Sequence, residues 1–180
     1  MLLFACRRKR LPVIPGLLAA ALLGLSACAS SDVASIKAAS QDQIHDIRVS
    51  EVTVSIETPK PHPELQAALK KELEEAMPIC AKGAVDHRLN VVITEFEDQD
   101  VGKAIFLGDE IELKGRTEFD AVATGEQTGA YFVENSFAWG GFIGAAMMSD
   151  AEISLSKGFA ENLCKEVFDV DLAQIRKNQN

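Results

Sequence analysis

Hydrophobic and polar positions alternate with a period of two along residues 110–121. Ile111, Leu113, Thr117, Phe119 and Ala121 fall on one side, and Glu112, Lys114, Arg116, Glu118 and Asp120 on the other. Successive side chains of a strand point to opposite faces. The run therefore predicts a strand with one buried and one wet face, as in an antiparallel sheet covered on one side. Ile47 to Glu57 has the same period but slips once: Ile47 and Val49 share one phase, and Val52, Val54 and Ile56 share the other. Such a slip predicts a bulge near Ser50 or Glu51. Leu89–Phe96 reads as another strand. Gly129–Phe137 reads as the partner of the 110–121 strand, across a turn at Ala123-Thr124-Gly125-Glu126.

Two segments have a helical period instead. Leu65, Leu69, Leu73 and Met77 recur every four residues, with Lys70, Lys71, Glu72, Glu74 and Glu75 around the other side. This is an amphipathic helix, with Pro63 suited to its first turn and Pro78 expected to end it. A second helix is expected from about Asp150 to Phe168, opened by the capping box Ser149-x-x-Glu152. Ile153, Ala160, Leu163 and Val167 line its inner face, with Phe159, Cys164 and Phe168 beside them. The order β-α-β-β-β-α predicts an α+β fold: a single mixed or antiparallel sheet of about four strands, with two helices packed on one face.

The N-terminus departs from this pattern. Arg7, Arg8, Lys9 and Arg10 precede an apolar stretch whose unbroken part is residues 17–25, too short for a bilayer that needs about 20 apolar residues. A basic region, a short apolar region and small residues are the plan of a secretory signal. Leu25-Ser26-Ala27-Cys28 then resembles the lipobox of bacterial lipoproteins. The resemblance implies cleavage before Cys28 by the lipoprotein signal peptidase, with Leu25, Ser26 and Ala27 as its recognition residues. It also implies diacylglycerol and palmitate on Cys28. Ala27-Cys28-Ala29 reads alternatively as an ordinary small-x-small cleavage site. Ala29 is not the Asp that favours inner-membrane retention, so outer-membrane sorting with the domain facing the periplasm is expected. The division expected is signal peptide 1–27, flexible tether 28–44 (rich in Ala, Ser, Asp and Gln) and globular domain 45–180.

Charge and cysteines refine this picture. Cleavage removes four of 18 basic residues and none of 27 acidic ones, leaving 14 against 27, a net charge of −13. That surface repels nucleic acid and anionic headgroups, so the lipid must supply membrane attachment. Cys80 and Cys164 remain besides Cys28, and an oxidising compartment lets them pair; the alternative is two unrelated buried thiols.

The lipobox, the β-α-β start, Ala123-Thr124-Gly125 and Gly140-Gly141 before the last helix together resemble small proteobacterial outer-membrane lipoproteins of unknown function, over roughly residues 47–168. That resemblance implies no catalytic residues and no cofactor beyond the covalent lipid. The residues themselves offer little chemistry. His45, His62 and His87 are far apart, the acidic run Glu95, Glu97, Asp98 and Asp100 lacks the calcium-loop pattern, and nucleophile and phosphate-loop motifs are missing. Phe137, Trp139, Phe142, Ile143, Met147 and Met148 are the candidate partner-binding residues, in a Gly-rich apolar segment. It is read as a loop on its own core, a protein-docking loop, or a lipid-interface segment. The expectation is a non-enzymatic, lipid-anchored module that binds an envelope protein. The alternatives are a carrier of a small apolar ligand lined by Phe106, Phe119, Phe132 and Phe159, and an unrecognised enzyme.

Overall fold

The computed structural model describes residues 28–97, 109–139 and 151–178. In chain order they form β1 (Cys28–Lys37), α1 (Gln41–Asp46), β2 (Ile47–Ile56), α2 (Pro63–Cys80), β3 (Val85–Glu97), β4 (Asp109–Ala121), β5 (Gln127–Trp139), α3 (Ala151–Phe168) and α4 (Leu172–Lys177). The strands make one five-stranded sheet in the order β1-β5-β4-β3-β2. β2 and β3 are parallel, joined through α2, and the other pairs are antiparallel. The sheet is therefore mixed.

The alternation along β4 holds: Ile111, Leu113, Gly115, Thr117 and Phe119 are buried, while Glu112, Lys114, Arg116 and Glu118 between them face outward. Leu89, Val91 and Ile93 of β3 and Tyr131 and Val133 of β5 join the same buried face. Leu65, Leu69, Leu73 and Met77 of α2 and Leu155, Phe159, Ala160 and Leu163 of α3 close over it. Ile153 shares the phase of Ala160, but it lies in the first turn of α3 and is 52% exposed. The bulge expected in β2 is present, with the register shifting between Val49 and Glu51. Gly125 holds φ at +70° in the β4–β5 turn and donates its N–H to the Ala121 carbonyl at 2.7 Å, a conformation that suits glycine.

Four expectations need correction. The sheet has five strands, not about four. The fifth is β1, in residues read as part of a flexible tether. Its Ala, Ser and Asp residues have little strand preference, but nine residues of β1 from Cys28 to Lys37 pair with β5, and Val33 packs on the core, so tertiary pairing overrides composition. Two short helices, α1 and α4, join the two long ones. The signal for α1 is legible: the Ser40 hydroxyl accepts from the Gln43 N–H at 3.3 Å, and the Ser40 N–H donates to Gln43 Oε1 at 2.9 Å, a complete capping box. Finally, Pro78 lies inside α2, which continues to Cys80. Proline lacks the N–H that would bond four residues back, yet so close to a helix end only one such bond is lost.

Register sorts the sheet into two ends. Cys28, Ile56, Glu97, Asp109 and Trp139 lie at one. Lys37, Ile47, Val85, Ala121 and Gln127 lie at the other, where α1 carries the chain from edge β1 to edge β2. α2 runs from the first end to the second. Cys80 there forms a disulfide with Cys164 of α3, with their Cα atoms 5.5 Å apart. The two helices are thus bridged at the end distant from Cys28.

Candidate functional site

A groove beside β2 has a structural cause. β2 is an edge strand; Lys82 bridges to Arg48 at its start, and α2 packs beside the remainder. A groove of about 540 Å³ lies between residues 49–54 of β2 and Gln66, Lys70, Glu74, Met77 and Pro78 of α2. Gln66 Nε2 donates to the Val54 carbonyl at 2.7 Å, so that carbonyl points away from β3. In a strand the N–H and C=O of one residue point the same way, and every second residue repeats the direction. Val52 and Val54 therefore direct backbone groups to the open edge, while Thr53 and Ser55 direct theirs to β3. The side chains of Val52 and Val54 are 7% and 8% exposed and hold the strand on the core. Lys70 and Glu74 lie 3.8 Å apart on the helix side of the groove, and Glu51 on the strand side is tied to Arg88 at 2.8 Å. The arrangement offers hydrogen-bonding backbone beside an apolar floor, which suits an extended peptide.

The outer sheet face is polar. Lys114 Nζ sits 2.9 Å from Glu112 and 3.4 Å from Glu95, and its bond to Glu112 raises the ammonium pKa above its usual value. Burial is the main cause that pushes the Glu134 carboxyl up; a hydrogen bond to Glu112 and the nearby Asp32 charge add to it, against Lys114. Arg48 Nε donates to Asp86 at 2.7 Å and holds that carboxylate below its usual range. These are pairs within and across strands on a solvated face, worth little individually.

The histidines do not converge. His45 ends α1, His62 caps α2 and stacks edge-on against Phe96 at 4.7 Å, and His87 lies in β3. His87 is only 3% exposed. Its Nδ1 is 2.8 Å from the Val85 carbonyl and its Nε2 is 2.9 Å from the Thr128 hydroxyl, so both nitrogens have partners. Cys80 is committed to its disulfide. Among the described residues no three His, Cys, Asp or Glu side chains gather as a metal-ligand set, and no helix is long and apolar enough to cross a membrane.

The aromatic lining expected for a carrier is dispersed. Phe119 and Phe159 are fully buried core residues; Phe119 packs edge-on against Tyr131 and Phe168 at 6.1 and 5.6 Å. Phe132 lies on the opposite, polar face, between buried Tyr131 and Val133 in sequence. Phe106 is outside the described residues. So are Leu25, Ser26, Ala27, Phe142, Ile143, Met147, Met148, Asp98, Asp100 and the Ser149 half of the expected capping box. Phe137 and Trp139 belong to β5, and Cys28 is the first residue of β1. Register brings Cys28 opposite Ala138, beside Trp139. The groove was not foreseen, because which strand lies at an edge is a property of the strand order and not of any local pattern.

No protein-family profile matches the chain, and no curated protein matches it. Solved structures show a distant likeness. Two structures of the PelC dodecamer from Paraburkholderia phytofirmans align at 12% and 13% identity. They cover 74% and 75% of this chain and 98% and 97% of theirs, with TM-scores of 0.38 and 0.40. A candidate lipoprotein from Caulobacter crescentus aligns at 12% identity over 63% of this chain and 88% of its own, with a TM-score of 0.43. Likeness of this degree carries no argument about activity or partners.

Proposed function

We propose that this chain is a lipid-anchored lipoprotein of the outer membrane whose periplasmic domain works without catalysis, by binding another envelope protein. Cys28 carries the lipid, and the domain acts by holding its binding surface at high effective concentration beside a membrane-associated partner. The observation that carries the binding role is the open β2 edge beside α2, where Val52 directs its backbone N–H and C=O outward over a groove of about 540 Å³. An extended segment of the partner adds as a sixth strand there, and its alternate side chains enter the groove. The Cys80–Cys164 disulfide supports an oxidising compartment and ties α2, one wall of the groove, to α3. The lipobox supports the anchor.

Photo-crosslinking in cells tests this reading. A photoreactive residue at Ser50 or Lys70, both beside the groove, is expected to give a discrete protein adduct, and one at Arg116 on the polar face is not. Val52→Pro removes an outward N–H and should abolish the adduct while leaving the protein folded, because an edge strand tolerates proline on its open side. Equal labelling at Arg116, or an adduct that survives Val52→Pro, would contradict the groove as the binding site.

A further inference from the structure

We infer that Trp139 lies in the headgroup layer of the membrane that holds Cys28, so that the sheet stands with its Cys28 end on the lipid. The inference rests on the acylation of Cys28 and adds an orientation to it. β1 begins at Cys28 itself, and pairing with β5 starts at that residue, Cys28 opposite Ala138. No spacer separates the acylated residue from the sheet. Residues directly opposite in an antiparallel pair have Cα atoms about 5 Å apart, and the next residue along is about 3.8 Å further. Trp139 therefore lies within about 10 Å of Cys28 along the backbone, comparable to the roughly 5–8 Å depth of one headgroup layer.

The chemistry at this end agrees with a shallow contact. Trp139 is the only tryptophan of the chain, and tryptophan favours the membrane–water interface, where its ring meets apolar chains and its N–H finds an acceptor. Asp109 and Glu110 open β4, with Asp109 paired to Trp139, and Glu97 ends β3. Acidic residues at these register positions oppose deeper insertion and disfavour anionic lipid. The matching lipid surface is zwitterionic. The disulfide end and α1 then point away from the membrane, and the β2–α2 groove runs up the side of the domain, open to a partner.

Fluorescence quenching tests the placement. The processed, acylated protein is incorporated into phosphatidylcholine–phosphatidylethanolamine vesicles carrying bromine either high or low on the acyl chains. The tryptophan emission is expected to shift to shorter wavelength. Shallow bromine should quench it about twofold more than deep bromine, as befits an interfacial ring. Cys28→Ser protein, folded but unanchored, should show no quenching with the same vesicles, and Trp139→Phe supplies the blank. Acylated protein that floats with the vesicles yet keeps an unquenched emission overturns the inference alone, because Trp139 is then shielded by the domain or by protein. Purified protein that carries no acyl group overturns the anchor reading, and the inference with it.

Discussion

β1 and β2 are the two edges of one sheet and each is ten residues long, but they are held by different physics. β2 carries Ile47, Val52 and Val54 into the core, and Ile47 is fully buried. β1 carries mostly Ala, Ser and Asp, sends Val33 alone of residues 31–37 towards the core, and leaves Ile36 57% exposed. Side-chain burial fixes β2, and backbone pairing to β5 is the main hold on β1. The difference assigns roles. A strand fixed by its own core contacts can leave its other edge free for a partner. A strand with little core of its own is a suitable place for the proposed anchor, since its length is held by β5.

The largest effect expected on this comparison comes from the disulfide that stiffens the β2 side. Replacing Cys80 and Cys164 with Ser frees a loop with a sequence separation of 84 residues. The chain-entropy relation gives a loss of about 4.5 kcal/mol for a loop of that length. Denaturant midpoints of oxidised protein and the double variant measure it, and a change in slope would point instead to a less compact state. Next, Ile47→Ala should cost about 3 kcal/mol, because it empties a closed position at the start of β2. Val33→Ala, the equivalent change on β1, should cost about 1 kcal/mol at a half-buried site. Equal losses at the two positions would remove the distinction between the edges.

The smallest effect is electrostatic and belongs to β1. Asp32 pairs across the strands with Glu134, whose carboxyl is pushed up chiefly by burial and further by Glu112 and Asp32. A folded-state pKa above the unfolded value means that the folded protein holds this proton more tightly. The associated stability is present at low pH and is lost as pH rises from the ordinary carboxylate range through the raised value. Protection factors of β1 amides, which correct for the intrinsic acceleration of exchange with pH, should therefore fall over that window, and Glu134→Gln should flatten the dependence. Protection of β2 amides that bond to β3 should show no such change, since none of these carboxylates lies on β2 or β3.

Much of the interior was legible because it is written in local periods. The alternation of β4, the four-residue spacing of α2 and the slip in β2 each name buried positions directly. β1 was not legible: Ala, Ser and Asp describe a solvated linker unless a strand waits beside them, and β5 is about a hundred residues away in sequence. The start of β3 was missed for a related reason. The strand was expected only from Leu89, but it begins at Val85: His87 is buried with both nitrogens partnered, and Asp86 and Arg88 pair with β2 across the outer face. The groove needs the whole strand order to exist, so no segment encodes it alone. Cys28 was legible as a chemical signal, but its position at the first rung of the sheet was not, and that position gives the proposed anchor an orientation.

The central claim, that Cys28 is the acylated first residue of a membrane-held domain, is tested most directly by mass spectrometry of the N-terminal peptide from protein purified out of the cell envelope. The account predicts that residues 1–27 are absent and that the peptide beginning at Cys28 carries diacylglycerol on its sulfur and an amide-linked acyl chain on its new amino group. A peptide that begins elsewhere, or begins at Cys28 with a free thiol, would contradict it.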